Sequence, residues 1–157
     1  MTLLKSILEL DCIKHSVECI SKKRALELIS EIAGEKTGID SRKIFENMYA
    51  REKLGSTGIG AGIAIPHSRV AQLESAIAVL LTLEKPIEFE AIDKQPVDIL
   101  FALLVPEEKV NEHLKTLGAM AQQLNDKSLC RKLRHAQSDE ELYRIILNLD
   151  DDNNEIN

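Results

Sequence analysis

A histidine directly behind a proline closes the most informative stretch of this chain, REKLGSTGIGAGIAIPH, which runs from Arg51 to His67 and holds four glycines. Pro66 locks its own φ and drives Ile65 towards an extended backbone, so the stretch reads as a loop, a short strand and a rigid turn that presents His67. Glycines at this density suit a backbone that takes positive φ or approaches something closely. A neutral imidazole on such a support serves as a nucleophile, a general base or a metal ligand. Arg51, at the other end of the stretch, offers a planar fork of donors to an anion held on that ring. By composition alone it reads first as an exposed charge at a helix end. Lys53 and Arg69 are weaker candidates for the same task.

A second histidine, His113, follows Val110 by three residues and precedes Leu117 by four, which puts it beside the buried stripe of a helix, aimed along the rim of a sheet. Alone, it reads as readily as a boundary histidine satisfied by a backbone carbonyl. His15, beside a lysine in a short strand, and His135, at the end of a basic helix, read as structural or solvated. Cys12, His15 and Cys19 lie in one extended segment whose alternation sends Cys12 and His15 to opposite faces, a poor metal set. No HExxH or comparable close pair accompanies His67 and His113, so covalent chemistry on His67 is more economical than a metal there. The glycines do not make a P-loop, since no Lys-Ser/Thr pair follows the last of them. GSTGIGAG also neither follows a long strand nor opens a helix, as a dinucleotide site requires.

The elements that must position these residues are legible around them. SKKRALELISEIAGEKTG from Ser21 spaces Ala25, Leu28, Ile29 and Ile32 as an amphipathic helix with Ser21 as N-cap. Asp40 or Ser41 caps a second helix through IFENMYAREK, which Gly55 ends. Two continuous apolar runs, 76–83 and 97–105, suit central strands buried on both faces. Between them, Pro86, Ile87, Phe89 and Ile92 mark a more polar edge strand or hairpin arm. CIKHSVEC and GIAI are further short strands. Val110, Leu114, Leu117, Ala121 and Leu124 form a helical stripe, followed by a short helix near 127–134 and by a capping box, Ser138 with Glu141, before LYRIILNL. The expectation is one α/β domain over 1–149, a mixed and mostly parallel sheet with helices on both faces. A polar tail over 150–157 lacks periodicity and is expected to be frayed or disordered.

Bulk properties narrow the function. A chain of 157 residues buries a core without disulfides. Three cysteines without CxxC spacing indicate a reduced, cytoplasmic protein. The net charge of -6 and the absence of basic clusters with aromatics argue against a nucleic-acid binder and favour a basic protein partner. The N-terminus, MTLLKSILELD, is too short and polar an apolar run for a leader or a membrane span, so no membrane insertion is expected.

With these residues in view, the chain resembles the IIA domains of the bacterial phosphotransferase system, of the mannitol and fructose class and most nearly its nitrogen-regulatory members. REKLGSTGIGAGIAIPH matches the signature around the phosphorylated histidine. PIEFEAIDKQPVDILFALLVP with EHLKTL, SKKRALELISE and CRKLRHAQSDEELY extend the likeness from about residue 3 to about 148. The resemblance implies that His67 accepts a phosphoryl group through Nε2, that His113 is a second active-site histidine and that Arg51 and backbone N–H groups of the glycine loop face the phosphate. It implies a phosphotransferase with no cofactor, metal or nucleotide, fed by an HPr-like phosphocarrier and an enzyme I. The implied targets are regulatory proteins such as potassium-transport or sensor-kinase components. The alternatives are a sugar-specific IIA component that passes phosphate to a IIB domain and a regulatory binding module that makes no use of His67.

Overall fold

The two apolar runs pair with each other at the centre of the molecule. In the computed structural model, which describes residues 6–108 and 110–156, with 110, 111 and 149–156 by backbone alone, strand β5 (Ile77–Ile87) lies antiparallel to β6 (Val97–Pro106). β1 (Ile13–Val17) adds parallel to the outer side of β5. On the far side, β6 takes β3 (Ile63–Ala64) and β4 (His67–Val70) in parallel, and β2 (Gly58–Gly60) turns back antiparallel on β3. The sheet is mixed as expected: three of the five pairings are parallel, while the longest, β5 with β6, is antiparallel.

β3 and β4 are two pieces of one line along β6. Ile63 pairs with Ile99 and His67 with Leu103, the same offset, so register survives the interruption at Ile65 and Pro66. Pro66 has no N–H to give to a ladder, but its carbonyl still accepts from Leu103 N at 2.9 Å. The proline therefore breaks the strand without displacing it. His67 starts the second piece.

The side chains of β5 and β6 alternate between two separate apolar layers. Ile99, Phe101 and Leu103 face Met120 and Leu124 of helix α3 (Val110–Leu124), Leu129 and Leu133 of α4 (Lys127–His135), and Leu142 and Ile146 of α5 (Asp139–Ile156). Leu100, Ala102 and Leu104 face Leu26 and Ile29 of α1 (Lys22–Thr37) and Ile44 and Met48 of α2 (Ser41–Leu54). This is the period-2 consequence of a sheet covered on both faces.

The helix ends follow their capping residues. Ser21 Oγ accepts from Arg24 N at 3.1 Å, and Gly38 closes α1 in the left-handed region. Asp40 accepts from Arg42 N at 3.0 Å, and Gly55 follows the last turn of α2. Ser138 Oγ accepts from Glu141 N at 3.0 Å, while the Glu141 carboxylate reaches back to Gln137 N at 2.8 Å. The backbone of α5 continues to Ile156, into the segment whose sequence carries no helical periodicity; residue 157 lies outside the described residues.

Three local expectations change. The segment around Pro86–Ile92 is no separate edge strand: β5 runs on to Ile87, which pairs with Val97, and the chain then loops with Phe89 fully buried and Ile92 exposed. The strand β4, which His67 opens, is too short to carry a period in its sequence. In α3 the buried positions are Thr116, Met120 and Leu124, and Leu114 stands 56 % exposed. It lines the open cavity beside His67 instead of packing into the core.

Candidate functional site

His67 stands at the start of β4, paired on one side with β6 and on no other strand among the described residues. In-register parallel neighbours project to one face, so His67 shares the face of Leu103, towards α3. The carbonyl oxygen of Ile65 lies 2.9 Å from His67 Nδ1. A carbonyl only accepts, so Nδ1 carries the ring proton and Nε2 of the neutral imidazole is left with a free lone pair. Arg51 reaches that atom from the end of α2, its Nε–H donating to Nε2 at 3.3 Å. Its Nη1 donates to Gly55 O at 2.9 Å, which orients the plane of the guanidinium.

Burial lowers the pKa of His67 and the nearby Arg51 charge lowers it further; the Ile65 hydrogen bond and the Glu52 charge act in the opposite direction without reversing the outcome. The ring is thus neutral at neutral pH. A neutral imidazole with an unprotonated, oriented Nε2 beside a fixed cation has the chemistry to attack an anionic electrophile.

An open cavity of about 830 Å³ at this end of the sheet brings the three expected residues together: Arg51, His67 and His113 all line it. His113 is half-buried, and its Nε2 is inaccessible to solvent yet makes no hydrogen bond among the described residues. A buried, unpartnered ring nitrogen is costly in a purely structural role. Leu54, 86 % exposed, and Leu114 form apolar lips from α2 and α3. Of the weaker candidates, Arg69 lines the cavity, whereas Lys53 lies over the Tyr49 ring at 4.7 Å. The lining holds one carboxylate, Glu107, against Arg51 and Arg69.

None of the four glycines of the stretch lines the cavity. A Cβ on Gly58 would fall 2.7 Å from Ala91 Cβ, and one on Gly62, at φ +82°, would fall 2.9 Å from Asp98 Oδ1. The loop N–H groups are used internally: Thr57 N donates to Glu52, Gly58 N to Ser56 Oγ at 3.1 Å and Ala61 N to Asp93 at 3.0 Å. The glycines allow the loop to pack against its neighbours in the fold.

Reading the sequence missed Glu52. This carboxylate, 5 % exposed, accepts from Thr57 N at 3.0 Å, closely from Thr57 Oγ1, and from Lys22 Nζ at 3.1 Å. An acid in the last turn of a helix opposes the dipole, and that anomaly was the available signal. His15 is structural: its Nδ1 lies 2.8 Å from Asp139, tying β1 to α5.

A mixed sheet with, among the described residues, two helices on one face and three on the other is the fold of the mannitol-type IIA proteins of the phosphotransferase system. IIA mannitol from Escherichia coli superposes with a TM-score of 0.73 over 87 % of this chain and 96 % of its own, at 20 % identity. The chain belongs to the family described as phosphoenolpyruvate-dependent sugar phosphotransferase system, EIIA 2, whose model matches residues 6–149. Within that family it is similar to a nitrogen regulatory protein from Klebsiella oxytoca, 54 % identical over 91 % of this chain and 89 % of the relative. The crystal structure of nitrogen regulatory protein IIA-Ntr from Neisseria meningitidis matches with a TM-score of 0.86 at 38 % identity, covering 91 % of this chain and 98 % of the other. No described helix is long and apolar enough to cross a membrane.

Proposed function

We propose that the chain is a phosphocarrier of the nitrogen-regulatory kind, which accepts a phosphoryl group on His67 from an HPr-like phosphohistidine protein. The observation that carries this reading is the unprotonated His67 Nε2, held by the Ile65 carbonyl on one side of the ring and facing Arg51 on the other. The Nε2 lone pair attacks phosphorus in line as the phosphorus–nitrogen bond of the donor breaks, and the bonding pair returns to the donor imidazole. Charge spreads over the equatorial oxygens in a loose transition state. Arg51 exchanges its bond to the ring for one to a phosphoryl oxygen, and His113 supplies a second donor from α3. Positioning and charge neutralisation carry the catalysis. The apolar lips at Leu54 and Leu114 give the donor protein a surface to close over.

Relatives named nitrogen regulatory proteins support a regulatory output over sugar transport. The targets proposed with that output are regulatory proteins such as potassium-transport or sensor-kinase components. In a test, the protein is incubated with labelled phosphoenolpyruvate, enzyme I and an HPr-type carrier. Label is expected on His67, and equal labelling of His67→Ala overturns the reading. Rapid onward transfer to a fructose or mannitol IIB domain, in place of a persistent phosphoprotein, assigns the sugar-transport role instead.

A further inference from the structure

We propose that Glu52 and Thr57 form a clamp that positions the reactive histidine, holding His67 in the tautomer with a bare Nε2. The inference rests on the phosphocarrier reading for its consequence in transfer, while its structural content concerns the ring itself.

The clamp is a continuous chain of bonds. Lys22 Nζ donates to the Glu52 carboxylate at 3.1 Å, and Glu52 accepts both the backbone N–H and the hydroxyl of Thr57. The carbonyl of Thr57 accepts from Ile65 N at 3.0 Å. The carbonyl of that same Ile65 accepts from His67 Nδ1 at 2.9 Å. A buried carboxylate without these donors is costly, so its bonds hold Thr57 firmly in one place. Thr57 in turn fixes the peptide whose oxygen selects the ring proton. Lys22 is anchored by the Phe89 ring at 4.7 Å and the Phe89 carbonyl at 3.3 Å, which keeps the far end from drifting.

The arrangement also joins the two phosphate-facing groups. Glu52 follows Arg51 directly in α2, so the residue that fixes the loop is covalently next to the one that meets Nε2. Loosening Thr57 frees the Ile65 carbonyl and lets Nδ1 and Nε2 exchange the proton; with the proton on Nε2, no lone pair is available for phosphorus.

Thr57→Val removes the hydroxyl without changing charge, Thr57→Ser keeps it, and Glu52→Gln removes the double acceptor. Ring-nitrogen NMR of the unphosphorylated full chain reads the His67 tautomer directly. The Nδ1–H form is expected to dominate in the wild type and to be partly replaced by the Nε2–H form in Thr57→Val and Glu52→Gln. Transfer from the HPr-type carrier should slow about 10- to 100-fold in both, the scale of a misplaced reacting group. Thr57→Ser should restore ring signal and rate together. An unchanged tautomer and rate in folded Thr57→Val overturns the proposal, as does a slowed rate with an unchanged tautomer. A wild type that keeps the Nδ1–H ring but takes no label at His67 overturns the phosphocarrier reading and leaves the clamp standing. Should Glu52→Gln fail to fold, the two Thr57 variants decide.

Discussion

His67 Nδ1 is bonded to the carbonyl of Ile65, two residues before it and 2.9 Å away. The contact is local, made across Pro66, and the fixed φ of that proline brings the carbonyl under the ring. One short turn therefore decides both where the imidazole points and which nitrogen carries the ring proton. Sequence alone left that choice to the resemblance.

Arg51→Ala should slow phosphorylation of His67 by about 100- to 1,000-fold, the cost of deleting one charge-stabilising donor. Arg51→Lys keeps the charge but not the planar fork oriented by Gly55, and should recover only part of the loss. Initial labelling rates, with melting curves to confirm folding, measure both. A wild-type rate in Arg51→Ala removes the residue from the site.

His113→Ala should label more slowly, with all the label still on His67, because the ring lines the cavity without being the nucleophile. Peptide mapping of the labelled protein checks the position. Label on another residue, or undiminished kinetics, returns His113 to a structural role.

The pKa of His67 lies below the ordinary value of about 6.5. In an NMR titration its inflection should fall below that of an unfolded-chain histidine, and phosphorylation should hold its rate on mild acidification before declining. For stability the sign follows from proton uptake: as pH falls through about 6.5 the unfolded chain binds the proton first, so stability drops until the folded pKa is reached. His67→Ala should flatten that part of the curve. A titration at or above 6.5 contradicts the burial of the ring.

Gly58→Ala should destabilise the fold by about 1–3 kcal/mol, as overpacking does, because the added Cβ meets Ala91 at both Cβ and the backbone Cα, 2.7 and 2.9 Å away. Adding Ala91→Gly should recover only part, since the Cα remains. Urea midpoints of the two variants test this. Full recovery would place the conflict in the side chain alone.

The long apolar runs announced β5 and β6, and the cap residues Ser21, Asp40 and Ser138 announced where helices begin, because burial on both faces and unsatisfied backbone ends each leave a mark in local composition. Arg51, His67 and His113 were found by their spacing and by resemblance, and the fold brings them to one cavity. Glu52, Leu114 and the orientation of the glycines were not legible. Their roles are decided by what lies opposite them across the fold: Thr57 and Lys22 for the carboxylate, open solvent for the leucine, Ala91 and Asp98 for the glycines. Lys22, Ala91 and Asp98 are distant in sequence from the residues they meet, and Thr57, five residues after Glu52, lies beyond the end of its helix, where no periodicity links the two.

The two apolar layers flanking the sheet also divide the labour of the site. Arg51 and Glu52 belong to the α1–α2 side, His113 and Leu114 to the α3–α5 side, and the sheet edge between them carries His67. His113 and the exposed Leu114 are neighbours on one turn of α3, so the outer surface of that wall and the inner lining of the cavity share a backbone. Drift in the exposed contact surface is thereby tied to the geometry of the cavity itself.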